Sequence, residues 1–136
     1  MAFPVVDGLR SIEFGTPGES RRRLINFVLN GNKRATAGLL KDYEAEGEPV
    51  EHVGERLAMV DDDMHHVGTL EVTRVEILRF ADVPDEFALA EAEGDLNAVD
   101  FRASHREYWT KAGETITDDT QVVTLYFALL PQIVRK

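Results

Sequence analysis

Val67-Gly68-Thr69-Leu70-Glu71-Val72-Thr73-Arg74-Val75-Glu76-Ile77-Leu78-Arg79-Phe80 reads as one long β-strand. Leu70 and Val72 alternate with Glu71 and Thr73, the period of two expected when one face packs and the other is wet. Near Arg74 the parity changes, and Val75 or Ile77 takes over the apolar positions; such a switch marks a β-bulge. Just upstream, Arg56 to Val60 reads as a second strand, joined to the first through the tight polar run Asp61-Asp62-Asp63-Met64. Gln121 to Val134, rich in Val, Leu, Tyr and Phe, reads as a terminal strand.

Three helices are expected around these strands. Ser20 is placed to cap a helix running to about Asn30, with Leu24, Phe27 and Val28 on one face and Asn30-Gly31 as its stop. Val83-Pro84-Asp85 opens a second helix, through Glu93, that ends at Gly94. Asn97 caps a third, whose stripe is Phe101, His105, Tyr108, Trp109 and Ala112. The acidic stretch Asp42 to Gly54 reads as a solvated loop holding a short helical piece. Few strands, three helices and mixed order give an α+β class, with the sheet curled around a small core.

The chain has 136 residues, of which 43% are hydrophobic and 29% charged. That suits a single domain spanning 1–136, with room for one core. No apolar run approaches the roughly 20 residues needed to cross a bilayer, so no membrane partner is expected. Met1 to Asp7 lacks the pattern of a secretory signal. The absence of cysteine excludes disulfides, thiolate catalysis and thiolate zinc sites, and fits a cytoplasmic protein. A formal net charge of −10 argues against indiscriminate binding to duplex DNA. It leaves room for a small site that takes one nucleotide.

Charge is unevenly spread. From Ser20 to Lys41 the charged residues are Arg21, Arg22, Arg23, Lys33, Arg34 and Lys41, all positive. A local positive field is therefore expected, with an anionic ligand or polymer as its target. Inside this stretch Gly31-Asn32-Lys33-Arg34-Ala35-Thr36 sets a glycine hinge before a lysine and a threonine three residues apart. A threonine hydroxyl attacks only when a base removes its proton, and a lysine amine serves where its surroundings favour the neutral form. The same spacing is common in proteins where it carries no chemistry. Arg34 reads as a phosphate or loop contact.

Ala90-Glu91-Ala92-Glu93-Gly94-Asp95 places three carboxylates at a helix C-terminus, where the macrodipole disfavours them. Glu93, turned towards a cationic site, holds Lys33 or shuttles a proton; the alternative is a solvated acidic turn. His105 reads as a core or interface histidine, and Arg102 and Arg106 on adjoining faces are able to present cations to a nucleic acid. His65-His66 beside Asp61-Asp62-Asp63 reads as a polar turn rather than a metal centre, and neither metal nor cofactor is expected.

Several of these pieces together resemble the ASCH domain family: Phe14-Gly15, Gly31-x-Lys33-x-x-Thr36, Tyr43-x-Ala45-Glu46-Gly47-Glu48-Pro49, Val53-Gly54, Phe87-Ala88, Glu91-x-Glu93-Gly94-Asp95 and Phe101-Arg102-x-x-His105. They fall in order from about Phe14 to Val134. The resemblance implies a PUA-like fold, a small, partly open mixed β-barrel flanked by about three helices. It also implies modified nucleosides or RNA as partners. Members of the family include hydrolases that remove the acyl group from N4-acetylcytidine, and ribonucleases. By position it implies a catalytic set of Lys33 as base, Thr36 as nucleophile and Glu93 as acid or orienting group. Substrate or RNA contacts then fall to Arg21, Arg22, Arg34, Arg102, His105 and Arg106, in a monomer or weak homodimer. Three positions depart from the family pattern: Arg34 replaces a small residue, Ala90-Glu91-Ala92 lacks a glycine, and Phe101 replaces a tryptophan. The first of these bears on the cleft mouth and on substrate size.

Overall fold

The structure is a computed structural model that describes residues 4–131. In chain order it contains β1 (Val5–Val6), β2 (Leu9–Ile12), α1 (Glu19–Leu29), β3 (Ala35–Leu39), α2 (Leu40–Glu46), β4 (Arg56–Val60), β5 (His66–Arg79), α3 (Asp85–Glu91), α4 (Ala98–Lys111) and β6 (Gln121–Leu129). A single 3-10 turn, Phe80–Asp82, joins β5 to the segment before α3. The expected strand over Gln121 to Val134 is β6, and 132–134 lie outside the described residues.

β5 organises the sheet. Its first part pairs antiparallel with β4, from Arg56 opposite Glu71 to Val60 opposite His66. From Leu70 onward it pairs antiparallel with β6, ending with Arg79 opposite Gln121. The register shifts between Val72 and Arg74, at the parity change in the sequence. A bulge adds local twist and bends the strand, so one strand serves two neighbours. The full order is β1-β2-β4-β5-β6-β3. β2 runs parallel to β4, and β3 antiparallel to β6. The two ends of this sheet meet across a gap: residues of β2 and β3 line one cavity of about 310 Å³. The result is the mixed, partly open curl expected of the fold.

Two apolar clusters form, one on each side of β6. Val123, Leu125 and Phe127 point into the first, with Leu24, Ile25 and Val28 of α1 and Leu57, Leu70 and Val72 of the sheet. Val122 joins the second, with Phe80, Phe87, Phe101 and Trp109. Strand β6 is therefore buried on both faces, which explains its near-continuous apolar run.

The helices differ from expectation at their ends. α1 begins at Glu19 after Gly18, and Ser20 lies inside it without acting as a cap. Gly18 has φ +98°, a conformation glycine adopts without strain. Asn97 does cap α4, its side chain accepting from the Asp100 N–H at 2.9 Å. α3 stops two residues early, because Ala92 turns left-handed with φ 55°. The Asp42 to Gly54 stretch is partly helical, since α2 covers Leu40–Glu46.

Phe87 is the largest apolar side chain that α3 buries. Its ring is fully buried and meets the edges or faces of Phe101 and Tyr126 near 89°, with centroids 5.6 and 5.7 Å away. Phe87→Ala is expected to destabilise the protein by about 3–5 kcal/mol, the usual cost of emptying such a site. Urea denaturation followed by circular dichroism measures this. A loss under about 1 kcal/mol would show that α3 is ordered by something other than this packing.

Candidate functional site

The chain after α1 is pinned before it reaches β3. Gly31 takes φ +85°, and the Lys33 N–H donates to the Phe27 carbonyl at 2.9 Å. The Arg34 N–H donates to Ala90 O at 2.8 Å, and Arg34 O accepts from Phe127 N at 3.0 Å. These bonds turn the Lys33 side chain inward, where it is 1% exposed. A buried ammonium needs an acceptor for each of its three protons. Lys33 Nζ has them: Ala35 O at 2.9 Å, Glu91 O at 3.1 Å and Glu93 Oε2 at 2.9 Å. It also lies 5.6 Å from the centre of the Phe14 ring, within cation–π range. Residues sixty apart in sequence thus meet in one ion pair.

The left-handed turn at Ala92 makes this possible. It ends α3 and aims the Glu91 carbonyl at Lys33, while the Glu91 side chain turns the other way, towards α4. Glu91 is itself 1% exposed, and its Oε1 lies 3.1 Å from His105 Nε2. The separation is that of an ion pair, although no donor is well aligned on Oε1 as a hydrogen bond. On its other side His105 Nδ1 sits 3.1 Å from Phe101 O, 3.3 Å from Ser104 Oγ and 3.8 Å from Asp95 Oδ2. Ser104 Oγ in turn donates to Asp95. The imidazole stacks on Phe101, 4.0 Å between centroids. Lys33, Glu93, Glu91 and His105 therefore form one cluster of two bases and two acids, in which Lys33 and Glu91 are buried and Glu93 is partly exposed.

Both members of the Glu91–His105 pair titrate abnormally. Burial raises the Glu91 carboxyl above its ordinary range, and His105 and Lys33 offset this only in part. Burial alone would lower His105, but Glu91, Glu93 and the Phe101 carbonyl outweigh it, so the imidazole is raised. Glu91, Glu93 and His105 also bring three ligand atoms within 4.8 Å of one another, as do Asp61, Asp63 and His65. In the first group, however, the ammonium of Lys33 and the imidazole already face both carboxylates. In the second, Asp61 caps its own turn by accepting from the Asp63 and His65 N–H groups.

Beside the cluster lies a cavity of about 410 Å³. Thr36 of β3, Glu91, Glu93, His105 and Trp109 line it, together with Glu13, Asp42 and one guanidinium, Arg23. Lys33 stands behind Glu93 and does not reach the wall, whereas Glu93 is partly exposed. No hydrogen bond joins Lys33 to Thr36 among the described residues; what they share is the neighbourhood of Glu93 and β3.

The expected cationic rim is absent from this cavity. Arg21 is folded inward, with Nε on Phe14 O at 3.1 Å and its other donors on Asp62, Glu13 and Gly15 O. It ties α1 to neighbouring loops and offers nothing to a ligand. Arg102 donates to Ala81 O, and Arg106 donates to Ile116 O at 2.8 Å while stacking over Phe80. Those two hold α4 against the second core. Arg22 and Arg34 are exposed, with side chains that make no hydrogen bond or ion pair among the described residues. Of the six contact residues expected from sequence, only His105 lines the cavity. Glu91 and the Asp95–Ser104 pair were missed as partners of that histidine. The signal for them was the acidic helix end itself, since three carboxylates there need buried cations nearby.

The raised pKa values carry a sign. His105 binds its proton more tightly in the folded protein than in the unfolded chain. It therefore contributes stability below its ordinary value near 6.5, which is lost as pH climbs through the raised folded value. Glu91 acts in the same direction, because burial penalises its charged form as pH rises. Denaturation midpoints are expected to fall as pH rises above about 6.5, and Glu91→Gln should flatten that slope. An equal slope in both proteins would show that the pair does not control the titration.

The ASCH domain family model matches residues 10–131. Two crystal structures share the architecture. One is an ASCH domain from Lactobacillus crispatus JV V101, with TM-score 0.74, 23% identity, and coverage of 89% of this chain and 80% of that one. The other is a protein from Enterococcus faecalis V583, with TM-score 0.74, 25% identity, and coverage of 87% and 74%. No curated protein is significantly similar in sequence. Among the described residues no helix is long and apolar enough to cross a membrane. With the mixed sheet shared by these structures and a family match over nearly its whole length, the chain belongs to the ASCH domain family, of PUA-like fold.

Proposed function

We propose that this protein is a cytoplasmic hydrolase that cleaves an acyl amide from a modified cytosine nucleoside of the N4-acetylcytidine kind. The observation that carries the reading is the 2.9 Å contact of Lys33 with Glu93 beside a cavity whose wall includes both Glu93 and Thr36. Its volume suits a small-molecule ligand. Four carboxylates and one arginine line it, an environment that repels phosphate and favours a neutral nucleoside. The PUA-like fold, associated with RNA and modified-nucleotide recognition, agrees with such a ligand.

In this reading Thr36 Oγ1 bonds to the acyl carbon while its proton passes to the Lys33–Glu93 pair. With all three ammonium protons already accepted, Glu93 is the member that meets the cavity, and Lys33 supports it from behind. Collapse of the tetrahedral intermediate breaks the C–N bond, and the pair returns the proton to the departing amine. Water then hydrolyses the threonyl ester, releasing the carboxylic acid and restoring the hydroxyl.

Thr36→Val, Lys33→Ala and Glu93→Gln are each expected to lower kcat/KM on N4-acetylcytidine by about 10²- to 10⁴-fold. Circular dichroism and unfolding curves check that each variant still folds. Full activity in Thr36→Val rules out the covalent step.

A second reading, an RNA-binding protein or ribonuclease, draws on the exposed guanidiniums of Arg22 and Arg34. It requires affinity for short RNAs that falls steeply from about 50 mM to about 500 mM salt. Nucleoside turnover should hardly change over that range.

A further inference from the structure

The cavity of about 310 Å³ between β2 and β3 is separate from the Lys33 cluster and contains one buried acid, Glu51. Pro4, Ile12 and Leu125 supply its apolar walls, and Tyr43 and Glu51 its polar end. Tyr43 is hydrogen-bonded to Glu51; burial first, then the carboxylate, keep its hydroxyl protonated far above the ordinary range. Its hydroxyl oxygen sits near Gly38, 3.9 Å from where a Cβ on that residue would lie, so the polar end abuts β3. Glu51 Oε1 is buried without a hydrogen-bond partner.

A buried carboxylate oxygen with no donor is costly, and natural proteins rarely leave one without a reason. The nearby cation does not relieve it. Arg10 is fully committed to Glu55, at 2.9–3.1 Å, and to Pro49 O at 2.6 Å. The polar end of the cavity thus holds Glu51, one of whose carboxylate oxygens has no donor, next to the Tyr43 hydroxyl that is hydrogen-bonded to it. Carboxyl torsions of glutamate are soft, so a small rotation brings Oε1 to the cavity surface.

We propose that this cavity is a second binding site, which takes a flat ring carrying two adjacent N–H donors, an amidine-like edge, against Glu51 and Tyr43. Ile12 and Leu125 sandwich or edge the ring. Glu51 fixes its orientation through charge-assisted hydrogen bonds. Thr36 belongs to the lining of both cavities, so a ligand seated here reaches the threonine on β3 that the larger cavity also exposes. The proposal goes beyond the hydrolytic reading and does not depend on it, since it holds equally for a protein that hydrolyses nothing.

Benzamidine, guanosine and benzyl alcohol serve as probes: a cationic amidine, a neutral base with an N1–H/N2–H edge, and a ring without that edge. Each is titrated into the full chain and followed by amide NMR. Benzamidine or guanosine, or both, should shift Ser11, Gly38 and Leu125 and leave Ser104 and His105 in place. Which of the two binds decides whether the edge must be charged. Glu51→Gln should weaken that binding about ten- to hundredfold, and Tyr43→Phe, which removes the second acceptor, should weaken it by a smaller factor. Benzyl alcohol binding as well as the other two, shifts confined to the Ser104 side, or a Glu51→Gln protein with unchanged affinity overturns the proposal. So does the absence of any binding. Should Glu51→Gln not fold, the pattern of shifts in the unaltered chain decides alone.

Discussion

A lysine ammonium with no access to water must find three acceptors or the fold that buries it is lost. Lys33 finds one two residues ahead and two across the molecule, at the end of α3. Much of the local architecture follows from that requirement. α1 must stop where Gly31 permits a left-handed turn, β3 must start at Ala35 so that its carbonyl points back, and α3 must end at Glu91 with its carbonyls free. The unpaired C-terminal carbonyls of a helix and the negative end of its dipole are suitable partners for a buried cation. A helix end crowded with carboxylates, unfavourable in isolation, becomes favourable once the ammonium is packed against it.

How much of this could be read in advance depends on whether the signal was local. β4 and β5 were legible residue by residue, because alternation is written into consecutive side chains, and the bulge showed as a change of parity. α4 was legible through its asparagine cap and its stripe. β3 was not: Ala35-Thr36-Ala37-Gly38-Leu39 has little strand propensity. It is a strand because five consecutive residues pair with β6. β1 and β2 were missed because they are only two and four residues long, and β2 is held in the sheet by β4, distant in sequence. The start of α1 was misplaced because Gly18, rather than a hydroxyl side chain, supplies the turn before it.

The charge pattern misled in an instructive way. Six cations without an intervening carboxylate suggested a positive surface, but a run of charge in sequence is not a patch in space. Arg21 faces inward to Asp62 and Glu13, Lys41 pairs with Glu114, and Lys33 is buried beneath Glu93. Arg22, Arg23 and Arg34 are left exposed without a carboxylate partner among the described residues, the second of them at the cavity rim. Four carboxylates from three other parts of the chain, Glu13, Asp42 and the Glu91–Glu93 pair, converge on the same concavity. The pairing of a lysine with a distant glutamate was legible from the family resemblance, but the partners of His105 were not. They lie on a turn whose direction is set by one left-handed alanine.

That alanine bears on why the cluster is built from two bases and two acids. Lys33 and His105 face Glu91 and Glu93, so the set brings together two bases and two acids, a pairing that eases the cost of keeping ionisable groups out of water. That pairing also means that a proton can move within the set without changing its net charge. A lone lysine beside a threonine would have to lose its proton to bulk solvent, from a position with almost no contact with it. Next to Glu93, which reaches the cavity, the same proton has a short path and a nearby acceptor. Glu91 and His105 then hold the second charge pair in place, so that the first is free to exchange. On this argument the acidic helix end and the buried lysine are one device, and neither is intelligible without the other.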